Sequence, residues 1–328
     1  SEGVLARVVR VDRGECDVVS AEGRVRVLSD SQRAQDEIAP VTGDWVMIAD
    51  EDGLGMVITE VLDRQTSVSR RDPAERDLEQ VLAANADVVA VVHGLDRLLP
   101  PGRLERLLVL AYKSRASPMV ILTKADDQID DVTEGIVRSV ARDVPVLLTS
   151  IADGTGLDEL VAAIGPGRTL ALVGASGVGK SSLVNALVGH ELLEIGEVRS
   201  SDAKGRHTTT ARELVLLPDD AGLLLDTPGV RALGLWEAED ALDLVFGDLE
   251  ELSGECKFGD CAHDSEPGCS IAAAVEAGEV DTRRIDRYKA LVAELAAQRA
   301  REEERERNDK KDGNQKRGKD GRNRGRRR

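Results

Sequence analysis

The stretch LALVGASGVGKSSLVNALVG (170–189) constrains this chain more than any other part of it. An apolar run ends in Gly174, four residues follow, and Gly179, Lys180 and Ser181 then open an amphipathic segment. Glycines let the backbone curl until successive amide N–H groups face one point, and the start of a helix adds partial positive charge there. The spacing predicts a phosphate loop after a strand and before a helix. Gly174, Ala175, Ser176, Gly177, Val178, Gly179, Lys180, Ser181 and Ser182 are its expected nucleotide contacts. Lys180 is expected to reach the β- and γ-phosphates during hydrolysis, and Ser181 to offer its hydroxyl to Mg2+.

The surroundings agree with a strand–loop–helix context. DVVAVVH (87–93), SPMVILTK (117–124), DVPVLLTS (143–150) and RTLALVG (168–174) are continuous apolar runs, the signature of strands buried on both faces. Helical stretches at 104–114, near 131–142 and at 156–164 alternate with them, which predicts an α/β domain around a parallel sheet. ELVLLP (213–218) and GLLLD (222–226) extend that sheet. The second ends in Asp226, followed by Thr227, Pro228 and Gly229. A carboxylate at a strand end can hold Mg2+ through water, and the Gly229 N–H can sense a γ-phosphate.

Thr123-Lys124-Ala125-Asp126 closes another buried strand. A carboxylate there can accept two hydrogen bonds from guanine N1–H and the 2-amino group. Adenine offers no such pair, so Asp126 would reject it by leaving a charge unpaired. The Lys124 stem can lie along the base plane, and the backbone of Ser150 and Ile151 can meet guanine O6. These base-reading elements precede the phosphate loop, the reverse of the usual order, as a circular permutation would leave them.

Residues 1–67 carry five short alternating or β-branched segments separated by Gly, Asp and Ser, which predicts a small barrel. An OB-like barrel is the first expectation and an SH3-like barrel the alternative. A linker is expected over 67–80. Near the C-terminus Cys256, Cys261, His263 and Cys269 follow the spacing C-x4-C-x-H-x5-C. Three thiolates and an imidazole fill a tetrahedral Zn2+ site, so one structural ion is expected. His93 and His190 receive no role, and Cys16 is expected to be a buried apolar residue.

The permuted order, GASGVGKSS, GRHTTTARE (205–213), DTPGVR and the Cys/His cluster together resemble the circularly permuted ribosome-assembly GTPases of the RsgA (YjeQ) type. The resemblance covers roughly residues 1–300. It implies an OB barrel over 1–67, a permuted GTPase domain over 68–235, a helical zinc module over 236–300 and a tail over 301–328. It also implies GTP and GDP as ligands, and the small ribosomal subunit with its rRNA as partner. Thr209 is then the magnesium-binding threonine, with Thr208 the fallback. Val230 stands where a Ras-like enzyme has a water-orienting Gln, so His207 becomes the candidate for placing the nucleophilic water. The family's base-reading motif has Asn where this chain has Thr123, which supplies a hydroxyl only.

Charge narrows the partner. The chain holds 44 basic and 61 acidic residues, yet 310–328 alone hold ten Lys/Arg against two Asp. The acidic body is a poor general polyanion binder, so RNA contact is expected from the tail or from a local patch such as Arg7, Arg10, Arg24 and Arg26. The apolar-free tail is expected to be disordered. No apolar run reaches the roughly 20 residues of a membrane span, and a cytoplasmic monomer is expected. A metabolic P-loop ATPase or kinase and a noncatalytic RNA-binding module are the alternatives; nucleotide preference and subunit-stimulated turnover distinguish them.

Overall fold

The computed structural model describes residues 3–12, 14–29, 39–51, 53–71, 79–126, 131–189, 213–226, 235, 238–264 and 266–324. Two compact units divide the chain, residues 1–70 with 80–233 and residues 71–79 with 234–328.

The first unit opens with β1 (Val4–Val11), β2 (Glu15–Ser20), β3 (Gly23–Leu28), β4 (Trp45–Glu51) and β5 (Gly55–Val61), closed in the order β1-β2-β3-β5-β4. The single parallel contact, Leu28 opposite Val57, joins β3 to β5 and marks the OB arrangement rather than an SH3-like one. Alternation drives the closure: Ala6, Val8, Cys16, Val18, Val27, Val46 and Ile48 point inward and are buried. The segment read as a linker instead holds a two-stranded sheet, β6 (Ser67–Arg71) with β7 (Glu79–Ala84). Its strands are rich in Ser, Arg, Glu and Gln, so their composition hides a pairing that neighbouring backbone decides.

The second layer of this unit is a six-stranded sheet. It comprises β8 (Val88–Gly94), β9 (Ser117–Thr123), β10 (Val146–Thr149), β11 (Thr169–Gly174), β12 (Leu214–Leu216) and β13 (Leu223–Asp226). Their spatial order is β10-β9-β8-β11-β13-β12, parallel throughout except for β12 against β13. Every residue of β8 and β11 is buried, as their unbroken apolar runs require. Helices α1 (Pro101–Lys113), α2 (Asp131–Ala141), α3 (Leu157–Ile164) and α4 (Lys180–Val188) make the crossovers. The chain runs outward from β8 to β9 and β10, then returns to β11 on the other flank of β8. Such a reversal leaves a crevice at the carboxyl ends of the strands, where α/β sheets bind their ligands.

The barrel is joined to this sheet by specific bonds. Arg7 donates to the carbonyl of Asn85 (2.9 Å), Ala84 N–H donates to Thr42 O (3.1 Å), and Arg10 bridges Glu213 just before β12. The arginines expected to meet RNA each have partners within the fold. Arg7 is buried and stacks over Trp45, Arg10 pairs with Asp12, and Arg24 pairs with Asp17 and Glu213. Arg26 pairs with Asp12, Glu15 and Asp17. The acidic excess of the barrel thus neutralises its own basic patch.

In the second unit, α5 (Glu239–Val245), α6 (Gly247–Gly254), α7 (Ser270–Glu276) and α8 (Thr282–Arg324) surround a small core. Phe246 is fully buried, with the Arg284 guanidinium over its ring and Tyr288 tilted against it. Arg284 also pairs with Asp248 at 2.9 Å. Helix α8 continues to Arg324, through the segment whose composition predicted disorder. Ahead of that segment the Glu303–Arg307 pair adds an i,i+4 contact along the helix. Among the described residues no helix is long and apolar enough to cross a membrane.

Candidate nucleotide site and metal centre

The carboxyl ends of β8, β9, β10 and β11 carry the candidate nucleotide residues. The phosphate loop leaves β11 at Gly174 and enters α4 at Lys180, with Gly179 as the residue before the helix at φ +96°. The backbone favours glycine here, and a Cβ on Gly179 would crowd Thr123 Oγ1 at 3.2 Å. Lys180 is buried, its ammonium folded over the loop onto the carbonyls of Gly174 (3.0 Å) and Ala175 (2.7 Å). Ser181 and Ser182 lie in the first turn of α4.

Thr123 braces the phosphate loop with the hydroxyl it has in place of an amide. Its hydroxyl donates to Val178 O at 2.6 Å and lies 3.3 Å from His93 O. Arg97, at the carboxyl end of β8, donates to Gly177 O at 3.0 Å. In a planar trans peptide the C=O and the next N–H point opposite ways. Holding the carbonyls of Gly177 and Val178 outward therefore turns the N–H groups of Val178 and Gly179 to the other side.

The residues expected to read the base are tied together differently. Asp126 accepts a hydrogen bond from the Ser150 hydroxyl at 2.9 Å, and Ser150 Oγ in turn accepts from Ala152 N–H. Sequence reasoning assigned Ser150 a backbone role and missed this side-chain one. Ala125 N–H donates to Thr149 O, which holds the two loops side by side. Lys124 has φ +62°, a left-handed conformation unusual for a non-glycine residue, and its ammonium pairs with Asp96 at 2.6 Å. Arg97 and Lys124 together pull the Asp96 carboxyl down to about 2. Ile151 is more than half exposed beside this loop.

His93, unassigned from sequence, is buried behind the loop with Nε2 3.1 Å from Arg97 O. Burial holds its pKa below the ordinary imidazole value, against the opposing pull of the Arg97 carbonyl. The signal that would have found His93, Asp96 and Arg97 is HGLDR, a polar cluster at the carboxyl end of a wholly apolar strand. Asp226 ends β13 with its backbone opposite Leu172. His207, Thr208, Thr209, Gly229 and Val230 lie outside the described residues.

In the second unit Cys256, Cys261, His263 and Cys269 converge, with one ligand atom from each lying within 4.8 Å of all the others. Cys256 Sγ is 4.0 Å from Cys269 Sγ, and His263 Nδ1 is 3.6 and 3.7 Å from those sulfurs. Ligand bonds of about 2.0 to 2.3 Å at tetrahedral angles put such atoms roughly 3.5 to 3.8 Å apart, so the four fit Zn2+. The other nitrogen, Nε2, lies 3.3 Å from Ser253 Oγ, which fixes the ring with Nδ1 toward the thiols. His263 has φ +58°.

A parallel sheet with a phosphate loop after β11, and a carboxylate loop earlier in the chain after β9, defines a circularly permuted P-loop GTPase with an OB barrel ahead of it. Residues 61–236 match the RsgA GTPase family. Small ribosomal subunit biogenesis GTPase RsgA of Streptomyces coelicolor is 44% identical over 300 residues, covering 90% of this chain and 81% of the relative. Its namesake in Streptomyces avermitilis is 45% identical over 300 residues, covering 90% and 80%. Among solved structures, YjeQ from Thermotoga maritima shares 26% identity at a TM-score of 0.63, covering 90% of this chain and 99% of that one. YloQ, a circularly permuted GTPase, shares the fold at a TM-score of 0.61 and 24% identity, covering 90% and 96%. The chain belongs to the RsgA GTPase family and is a GTP hydrolase, not the ATPase, kinase or noncatalytic module that its sequence left open.

Proposed function

We propose that this chain binds the small ribosomal subunit during its late maturation and hydrolyses GTP in response to that contact. The observation that carries the reading is the Thr123–Val178 bond, which joins the loop of Thr123–Asp126 to the phosphate loop in permuted order. The names of its relatives supply the subunit.

In this reading Lys180 leaves its loop carbonyls to meet the β- and γ-phosphates, and the N–H groups of the loop bind the phosphate oxygens. Asp126, oriented by Ser150, accepts the two guanine donors, and the Lys124 stem flanks the base. Ser181 and Thr209 would hold Mg2+, with Asp226 acting through water. When bound, Mg2+ neutralises charge that grows on the phosphate oxygens. Gly229 senses the γ-phosphate, and His207 places the water once the partner orders its loop. Cys256, Cys261, His263 and Cys269 hold one Zn2+ whose role is to stabilise the fold of a small module. The rRNA contact falls to the basic C-terminal segment, because the barrel arginines are already paired. A cytoplasmic location follows from the partner.

Turnover of GTP and ATP with purified small subunits, large subunits or neither tests the reading. GTP hydrolysis stimulated by small subunits alone is expected; equal rates in all three conditions would refute it. Loss of the stimulated rate in His207→Ala is the companion result.

A further inference from the structure

Asp96 and Arg97, neither of them assigned above to the nucleotide, meet at the carboxyl end of β8 and touch Lys124 and Gly177, which are. Asp96 Oδ2 pairs with Lys124 Nζ at 2.6 Å and with Arg97 Nη2 at 3.2 Å, while Oδ1 accepts from Arg97 Nε at 3.2 Å. Arg97 then passes on to Gly177 O at 3.0 Å. The turn that presents both residues is anchored from behind, by His93 Nε2 at Arg97 O and by Leu95 N–H donating to Thr123 O at 2.9 Å. Gly94 makes room for the carboxylate: a Cβ there would stand 2.6 Å from Asp96 Oδ1.

We infer that Asp96 is a positioning residue of the nucleotide site, which sets the phosphate loop through Arg97 and the base-flanking Lys124 through its ammonium. The inference rests on the guanine-nucleotide reading of the site. Its logic is geometric. Arg97 holds the Gly177–Val178 peptide by its carbonyl, which aims the Val178 N–H toward the phosphate side. An arginine on a mobile surface turn would hold nothing; paired through two of its nitrogens to Asp96, it has one orientation. The same carboxylate fixes the end of Lys124, so four methylenes lie in a defined line beside the base rather than sampling rotamers. One acidic side chain thereby couples the two ends of a guanosine diphosphate or triphosphate. Its charge lies between two cations and offsets their mutual repulsion. Thr123, lacking an amide, braces only the next peptide, and Arg97 braces the one before it.

Titration calorimetry of the full chain with GDP and ADP, with GTP turnover in parallel, tests this. Asp96→Ala is expected to raise the GDP Kd about three- to tenfold, with the larger change in KM than in kcat. Arg97→Ala should do the same, and the double variant should be no weaker than the worse single one, because both break one chain of contacts. Asp96→Glu should recover part of the affinity. Asp96 is on the surface, so the melting temperature without nucleotide should stay near wild type; if Asp96→Ala melts early, the isosteric Asp96→Asn replaces it. An unchanged GDP Kd, or fully additive losses in the double variant, overturns the inference. Asp126→Asn, run alongside, separates the two readings. If it keeps the guanine preference, the base-reading assignment fails, and the Asp96 affinities still decide the present point.

Discussion

The hydroxyl of Thr123 donates to the carbonyl oxygen of Val178 across 2.6 Å, joining the end of β9 to a loop 55 residues further along the chain. Thr123→Val keeps the shape and removes the donor, leaving a buried carbonyl without this partner. The expected cost is about 1 to 2 kcal/mol, read as a lower urea midpoint together with a weaker GDP affinity. A variant with unaltered GDP affinity would mean that the bond does not shape the phosphate loop.

Selection of the base should depend on two residues to different degrees. Asp126→Asn exchanges an acceptor for a donor at one position, so preference should move from guanosine toward xanthosine nucleotides. Ser150→Ala keeps the carboxylate and frees its rotamer; the GTP-over-ATP ratio should fall by about three- to tenfold. Competition binding with the three nucleotides measures both.

Beside the barrel a half-buried Arg64 meets a carboxylate that is wholly buried. Asp44 is fully buried and accepts from Arg64 through both oxygens at 2.8 Å, with Val41 N–H as a further donor. Arg64→Ala would strand that carboxylate at a cost of about 3 to 5 kcal/mol. Urea unfolding followed by Trp45 fluorescence reports it; a loss below about 1 kcal/mol would place the pair among weak surface bridges.

Acid should weaken the first unit through His93. Its folded pKa is depressed, chiefly by burial, so the unfolded chain binds a proton first as pH falls through about 6.5. The contribution of neutral His93 is whole above that value and declines below it, toward the lower folded pKa. Arg97 and Arg103 also disfavour the charged ring, and Asp96 favours it. The urea midpoint should drop between pH 7 and pH 5, with a shallower drop in His93→Gln. Identical slopes for both proteins would exclude His93 as the source.

Metal analysis should find one Zn2+ per chain, and Cys256→Ser or Cys269→Ser should lose it together with helical circular dichroism. Lowering the pH should release the ion as thiolates and imidazole take up protons. Chains purified free of zinc with unaltered helicity would remove the metal from the folding of α6 and α7.

The phosphate loop, the buried strands and the Cys/His spacing were legible because each is a local pattern. A loop's curvature, a strand's burial and a metal's ligand spacing are written in residues next to one another. The two-stranded sheet β6–β7 was not legible, since its polar residues carry no periodicity of their own. The arginines of the barrel looked like a basic patch until their partners were placed: Arg24 meets Glu213 across 189 positions. Composition counts charges but does not say which of them touch.

The amino-acid order alone determined that this chain has a nucleotide fold with permuted motifs, a barrel ahead of it and a four-ligand cluster behind. Tertiary structure alone decided that β8 lies between β9 and β11. That adjacency is what brings His93, Asp96 and Arg97 to Gly177, 80 residues beyond Arg97. The physical reason is that side chains at strand ends acquire partners only when the sheet orders its strands, and that order is set by burial summed over the whole core rather than by any segment.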